Sequence, residues 1–258
     1  MIARLLKNTK GLKYIIFYVI FSILKDGRRL RKCLELKDSD DLLLVANGPS
    51  LNNTPLHDFK CDSMGLNKIN LIFNRTTWRP KYITVTNGLV MQQTKKFYTN
   101  SDIQVFAEYK ARFLGMYANN IAYFLTRPDK NFHEDVVNGV GASGTVTFAA
   151  LQLAVALGYR RIFIVGLDHS FAGYSSDVKN SPLIERFEGD DINHFDPNYF
   201  KGMKWGVPNL YDSERGYQKA LEWAKFNGVE IFDCTVEGNC DVFPKMSIAD
   251  AIRIIEKG

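Results

Sequence analysis

From residue 41 to the C-terminus, short apolar runs alternate with stretches of helical character. The apolar runs predict strands at residues 42–46, 62–66, 82–86, 103–107, 121–125, 161–165 and 230–234. Helices are predicted at residues 145–157, 213–227 and 247–257, and the first of them lies between Ser143-Gly144 and Gly158. Strands that alternate with helices favour a mostly parallel sheet covered on both faces.

Length and composition fit one domain of this kind. The chain has 258 residues, of which 46% are apolar and 24% charged, so it can bury a full core. We therefore predict a single α/β domain of the Rossmann-like, doubly wound class at residues 38–258. The four cysteines form no CxxC pair. They are predicted to be buried thiols in a reducing compartment rather than zinc ligands or disulfides.

The positive charge of the chain is concentrated at its N-terminal end. Residues 1–37 contain ten Lys/Arg and two Asp/Glu, whereas residues 38–258 contain 23 basic and 26 acidic residues. A nucleic-acid-binding protein needs its positive charge on the folded body, where it can follow the phosphates. The distribution therefore argues against a nucleic-acid partner.

The N-terminal segment, residues 1–37, has the composition of an interfacial helix. An apolar run of eleven residues, 14–24, is too short to span a bilayer and has basic residues on both sides within residues 4–32. We expect a peripheral helix on the anionic, cytoplasmic face of the inner membrane. The residues expected to enter the acyl boundary are Ile15, Ile16, Phe17, Ile20, Phe21 and Leu24. A core helix or an oligomer interface, including a homo-oligomer, is the alternative.

Polar residues follow the predicted strands at the points where the strands end. Ligands of open parallel sheets bind outside the carboxyl ends of the strands. The residues at these positions predict a nucleotide crevice, with Gly48 allowing close backbone approach and Ser50 capping a short helix. They are Asn47, Gly48 and Ser50 after the first strand, Asn67 and Asn87 after the next two, Ser143 and Gly144 before the long helix, and Asp168. Taken singly, an asparagine here can be only a turn residue, and Ser143 only a helix cap.

Two common kinds of site are missing from the sequence. It contains neither a glycine-rich dinucleotide fingerprint nor a GxxxxGK[ST] loop, which argues against hydride transfer and P-loop ATP hydrolysis. The acidic run 38–41 precedes the first strand and is predicted to be a solvated turn. Asp190-Asp191 stays open as a metal ligand pair, although nothing around it completes a site. We therefore expect neither a metal nor a cofactor.

The long polar and aromatic region at residues 171–211 is predicted to be a lid or acceptor-binding loop. Within it, His194 is the candidate general base, because the ordinary pKa of imidazole lies near neutrality. Asp168 or Asp212 is expected to assist it. Tyr174, Tyr199 and Tyr211 are candidates for donating hydrogen bonds to a departing phosphate. A structural role for the histidine and packing roles for the tyrosines are the alternatives.

Two blocks of the sequence resemble the glycosyltransferase family 42 bacterial sialyltransferases. The blocks are Asn47-Gly48-Pro49-Ser50-Leu51 and residues 143–168, which end in Gly166-Leu167-Asp168. The resemblance implies a metal-independent Rossmann-like enzyme, tethered to the membrane, that transfers sialic acid from CMP-sialic acid to a glycan. It also implies contacts of Asn47, Asn67, Asn87, Ser143 and Gly144 with the nucleotide and its phosphate. The catalytic histidine of the family aligns near Asp212, so His194 is assigned here from its chemistry.

The expected function is transfer of a sialic-acid-like sugar from a CMP-activated donor to a cell-surface glycan or lipopolysaccharide acceptor. The same blocks also resemble MptE-like pterin pyrophosphokinases, which transfer diphosphate from ATP and need magnesium. A pterin enzyme has no use for a membrane-seeking N-terminus, whereas a lipid-linked acceptor explains one. A non-catalytic nucleotide-sugar-binding protein is the third alternative.

Overall fold

A computed structural model of the chain describes residues 9–170, 184–186, 188–206 and 208–258. Its centre is a seven-stranded parallel sheet with the strand order β5-β4-β3-β2-β1-β6-β9. The strands are β1 (Asp41–Val45), β2 (Asp62–Leu66), β3 (Tyr82–Val85), β4 (Gln104–Glu108), β5 (Ile121–Phe124), β6 (Arg161–Val165) and β9 (Glu230–Asp233). A separate antiparallel pair is formed by β7 (Ile184–Arg186) and β8 (Lys204–Gly206).

Helices flank this sheet. They are α1 (Thr9–Ile23), α2 (Asp26–Cys33), α3 (Gly88–Asn100), α4 (Lys110–Phe113), α5 (Val146–Ala156), α6 (Leu210–Asn227) and α7 (Ile248–Lys257). Short 3-10 turns lie at Pro49–Asn53, Leu56–Asp58, Ile69–Asn74 and Val136–Asn138. The architecture confirms the predicted α/β, Rossmann-like fold, and every predicted strand and helix is present to within a few residues.

The strand order reverses at β1. The chain runs outward from β1 to β5 on one side and then returns through α5 to β6 and β9 on the other side. β1 pairs with β2 and with β6, and its five residues are all buried. In open α/β sheets, the crevice at such a reversal is where ligands bind. The fold therefore directs attention to the loops that follow β1, β2, β3 and β6.

The N-terminal helices pack against the β5 side of the sheet and correct part of the membrane prediction. Phe21 is 3% exposed, and the ring of Phe17 stacks on that of Phe113 with centroids 4.9 Å apart. Together with Ile20, which packs against the core, these residues face the protein and not an acyl boundary. The sequence pattern shows that the helix has apolar faces, but packing against the rest of the protein determines which of these faces is buried.

Tyr174 and the first part of the predicted lid, residues 171–183, lie outside the described residues, so the lid stays a prediction. All four cysteines are free, and Cys234 and Cys240 are buried. Among the helices that the structure describes, none has both the length and the apolar character to cross a membrane.

Candidate functional site

A crevice of about 310 Å³ opens at the carboxyl edge of the sheet, beside the reversal of strand order. Its walls come from the loops after β1, β2, β3 and β6, from the first turns of α5 and α6, and from the segment between residues 193 and 206. The structure brings eight of the predicted site residues into this lining: Asn47, Gly48, Asn67, Asn87, Gly144, Asp168, His194 and Tyr199. The convergence expected for parallel strand ends is therefore present.

Asn47 and Asn67 line the crevice, and each has a buried amide oxygen without a partner in the described part of the chain. Asn47 follows β1 and donates from Nδ2 to the carbonyl of Leu66 at 3.0 Å, which fixes the side chain. Its Oδ1 and that of Asn67 are buried and have no hydrogen-bond partner among the described residues. Because a buried polar atom without a partner costs free energy, such atoms point to a missing donor, either water or a ligand.

Asn87 caps a helix, a role that was not predicted for it. Its Oδ1 accepts hydrogen bonds from the backbone N–H groups of Leu89 at 2.9 Å and Val90 at 3.4 Å, at the start of α3. This satisfies donors that the helix itself cannot pair. The oxygen is therefore used, and the side chain can offer a ligand only its amide N–H2 group.

The turn after β1 is closed by a carboxylate of the protein itself. The side-chain hydroxyl of Ser50 donates to Asp168 Oδ2 at 2.7 Å, and its backbone N–H donates to Oδ1 at 2.9 Å. A Cβ on Gly48 would lie 1.8 Å from Asp168 Oδ2, so glycine is required there for the carboxylate to approach. The close approach at Gly48 and the helix start at Ser50 were predicted to face the nucleotide. Asp168 occupies the position instead, and Ser50 does not line the crevice.

Ser143 and Gly144, just before α5, have different surroundings: Gly144 lines the crevice and Ser143 does not. Ser143 is 3% exposed and packs against α6, where a Cβ on Gly216 would lie 2.1 Å from its Oγ. Its Oγ has no partner among the described residues, but the residue is not part of the crevice lining. Gly144, with a φ of +74°, does line it, followed by Thr145, which caps α5. The predicted anion-facing helix start is therefore formed by residues 144–147.

His194 is held by a carboxylate that the sequence analysis did not assign to it. Its Nδ1 lies 2.9 Å from Asp191 Oδ2, and Asp191 Oδ1 accepts the backbone N–H of Asn193. Asp191 is 5% exposed, and the imidazole of His194 stacks on the ring of Tyr199 with centroids 4.0 Å apart. A carboxylate on one ring nitrogen fixes the orientation of the imidazole, as an aspartate does for a catalytic histidine in serine proteases.

The sequence does contain a feature that indicates this pair, because Asp191 precedes His194 by three residues. From the sequence, Asp191 was a candidate only as a metal ligand beside Asp190. In the structure the two carboxylates diverge, since Asp190 forms an exposed ion pair with Lys201 at 2.7 Å. An Asx turn, in which Asp191 also accepts a backbone N–H two residues on, brings the carboxylate to the histidine.

A buried lysine lies beneath this pair. Lys68 is 3% exposed, and its Nζ donates to the backbone carbonyl of Tyr199 at 2.6 Å and lies 4.7 Å from the ring centre of Phe200. Burial lowers the pKa of Lys68 to about 8, with Asp191 acting in the opposite direction. Lys68 therefore links the loop after β2 to the segment that carries His194.

A second histidine–carboxylate pair lines the same crevice. His169 follows Asp168 directly, has a φ of +53°, and places its Nε2 3.0 Å from Glu214 Oε1. Its side chain is 4% exposed and contacts the edge of Tyr217 on α6. The crevice therefore contains two imidazoles, each oriented by an acidic side chain.

Two other candidates lie outside the lining. Asp212 accepts a hydrogen bond from Lys130 at 2.8 Å and stands beside Gly144 at the rim. Tyr211 is 53% exposed, whereas Tyr199 is buried and lines the crevice. Burial raises the pKa of the Tyr199 phenol, so it remains a neutral hydrogen-bonding group.

Within the described part of the chain, no group of three or more His, Cys, Asp or Glu side chains is placed to hold a metal ion.

Comparison with known proteins gives one informative similarity. No protein-family model matches the chain, and no curated protein sequence matches it. Among solved structures, the MAf glycosyltransferase from Magnetospirillum magneticum AMB-1 superposes with a TM-score of 0.52 over 86% of this chain, at 12% identity. The chain spans 37% of the length of that protein. At this identity the similarity shows a shared fold.

Proposed function

We propose that this chain is a glycosyltransferase that binds a nucleotide-activated sugar in the crevice and uses His194 as general base. The observation that carries the proposal is His194, oriented by Asp191, in the lining of the same crevice as Asn47 and Asn67, whose amide oxygens have no partner among the described residues. His194 can accept a proton from an acceptor hydroxyl, and the amide oxygens of Asn47 and Asn67 can accept hydrogen bonds from a ligand. A nucleotide sugar carries such donors and is the kind of substrate that an acceptor hydroxyl attacks.

Nucleotide binding is assigned to the loops after β1 and β2. The amide oxygens of Asn47 and Asn67 accept from ribose hydroxyls or from the exocyclic amine of a base such as cytosine. The phosphate is placed against residues 144–147, where Thr145 and Thr147 line the crevice at the start of α5. The first turn of a helix offers free N–H groups and the positive end of its dipole to an anion.

The chemical step follows from the orientation of the histidine. His194 removes the proton from an acceptor hydroxyl, and the oxygen attacks the anomeric carbon of the donor sugar. The bond between that carbon and the phosphate oxygen breaks, and its electron pair leaves with the nucleotide phosphate. Asp191 stabilises the imidazolium that forms, in the way that an aspartate does for a catalytic histidine in serine proteases. Hydroxyl and N–H groups then stabilise the leaving phosphate.

The proposed donor is a CMP-activated, sialic-acid-like sugar, and the proposed acceptor is a cell-surface glycan or lipopolysaccharide. Two blocks of the sequence, residues 47–51 and 143–168, are similar to family 42 sialyltransferases, and this similarity supports the choice. The fold shared with a glycosyltransferase is in keeping with it. Under this proposal no metal is needed, because the protein's own donors take the phosphate charge.

Thermal-shift measurements with CMP, UDP, GDP and ATP, each with and without magnesium, test the proposal. We expect CMP to raise the melting temperature without magnesium, and the purified protein to release CMP from CMP-N-acetylneuraminic acid. Stabilisation by ATP that depends on magnesium, with none by CMP, would instead favour the diphosphotransferase. Stabilisation by CMP with no turnover, unchanged on His194→Asn, would indicate a nucleotide-sugar-binding protein.

A further inference from the structure

The surface of α1 that points away from the protein is an uninterrupted apolar stripe. Leu12, Ile16, Val19 and Ile23 follow the spacing of one helix face and are 41%, 49%, 48% and 71% exposed. On a helix of this pitch they lie opposite Phe21, which is buried in the protein. The helix therefore has two apolar sides, and only one of them is used by the fold.

The exposed charged residues of α1, α2 and the turn between them are all basic. Lys13, Lys25, Arg28, Arg31 and Lys32 are all exposed on α1, α2 and the turn between them. The single acidic residue between positions 9 and 34 is Asp26, which is 6% exposed and bonded to Tyr109 and Arg112 at 3.2 Å. The surface presented by these helices consequently combines exposed aliphatic side chains with an excess of positive charge.

We propose that this face of α1 docks the protein onto an anionic lipid bilayer. The aliphatic stripe, made of Leu12, Ile16, Val19 and Ile23, enters the boundary between headgroups and acyl chains, and the surrounding Lys and Arg side chains meet anionic headgroups. A helix of 15 residues is about 22 Å long, shorter than the roughly 30 Å hydrocarbon core, so it lies in the interface plane.

Charge complementarity selects the bilayer over a second copy of the chain. In a two-fold dimer through this face, each basic side chain of one copy would approach the equivalent basic surface of the other. No exposed acidic residue between positions 9 and 34 is present to compensate. An anionic headgroup layer provides that compensation along the whole face.

The attachment of α1 and α2 to the body gives the docked protein a fixed orientation. Phe21 and Leu30 are buried, and Asp26 joins the start of α2 to Tyr109 and Arg112 beyond β4. The site face of the sheet is therefore held at a set position relative to the membrane and not on a loose tether. This inference stands independently of the proposed function, since it concerns a surface outside the crevice.

Sedimentation of the full chain with vesicles tests the docking face. We compare phosphatidylcholine vesicles with and without phosphatidylserine, using wild type, Ile16→Glu/Ile23→Glu, and the matched control Phe226→Glu/Val236→Glu. Phe226 and Val236 are exposed apolar residues elsewhere, on α6 and after β9. Both substituted pairs are solvent-exposed, so thermal melting should match wild type.

We expect wild type and the control to bind phosphatidylserine-containing vesicles, and the α1 variant to bind about ten-fold more weakly. Residues 1–8 are the same in all three proteins, so a difference reports on the α1 face. Equal binding of the α1 variant and wild type would overturn the proposal. It would also be overturned by a wild-type dimer that the α1 variant converts to a monomer while neither protein binds vesicles.

Discussion

Nδ1 of His194 lies 2.9 Å from Oδ2 of Asp191, and this pair is stacked on the buried ring of Tyr199. The ring is thus restrained both in its plane, by the carboxylate, and perpendicular to it, by the aromatic contact. Such restraint is what a general base needs, since proton transfer depends on a heavy-atom separation that small rotations destroy. The side chain that sets the orientation is three residues away in sequence and absent from any motif.

Asp191→Asn is expected to lower turnover of CMP-N-acetylneuraminic acid by about ten-fold to 10³-fold while leaving nucleotide binding intact. The amide keeps the shape of the carboxylate but cannot stabilise the imidazolium. CMP release measures turnover, and the CMP-induced thermal shift measures binding. Asp190→Asn is the matched control, because Asp190 is exposed and pairs with Lys201. Equal loss in both variants would contradict the assignment.

Gly48→Ala is expected to destabilise the protein by about 1–3 kcal/mol and to abolish the CMP-induced thermal shift. The added Cβ would lie 1.8 Å from Asp168 Oδ2, so the carboxylate must leave Ser50 and the turn after β1 must move. Urea unfolding measures the change in free energy. Gly189→Ala is the control, since a Cβ there meets nothing within 4 Å. Indistinguishable stability of the two variants would disprove this role of Gly48.

Asn67→Gly is expected to weaken CMP binding about ten-fold, the equivalent of roughly 1.4 kcal/mol. Its Oδ1 has no partner among the described residues, so the free protein should lose less than about 1 kcal/mol. Glycine also tolerates the φ of +45° at this position. Isothermal titration calorimetry with CMP gives the affinity. Unchanged affinity would mean that the amide oxygen faces water and not the nucleotide.

Two substitutions at Asn87 separate helix capping from ligand binding. Asn87→Asp keeps the oxygen that accepts from Leu89 and Val90, so α3 should remain stable, while the amide N–H2 group is lost. Asn87→Ala removes the cap and should cost about 1 kcal/mol in urea unfolding. If only the alanine variant changes CMP affinity, Asn87 acts solely through the helix.

Lys68→Met is expected to change the pH dependence of stability. Burial lowers the pKa of Lys68 to about 8 from 10.5, so between these values the folded protein binds fewer protons than the unfolded chain. The free energy of unfolding of wild type should therefore rise relative to the methionine variant as pH increases through this window. Urea unfolding at neutral pH and within the window measures the difference; a constant difference would contradict the lowered pKa.

The strand ends were predictable because their signals are local. Apolar runs such as 42–46 and 161–165 predict strands, and their alternation with helices predicts a parallel sheet. Parallel strands then place Asn47, Asn67 and Asn87 at one edge. The role of each side chain at that edge depends on its contacts in the folded protein, which local patterns do not show. Asn87 caps a helix, whereas the side-chain oxygens of Asn47 and Asn67 have no partner in the described part of the chain, and no pattern in the sequence distinguishes the three.

The sequence by itself therefore determined the α/β architecture and the edge of the sheet where the crevice lies. The tertiary structure alone decided that Asp168, 118 residues from Ser50, closes the turn at Gly48, and that Phe21 faces the protein. It also decided that Asp191 orients His194. The apolar pattern within a single helix or strand predicts which of its side chains are buried, without reference to the rest of the chain. The partner of a side chain depends on which distant segments the completed sheet brings within a few ångströms of one another.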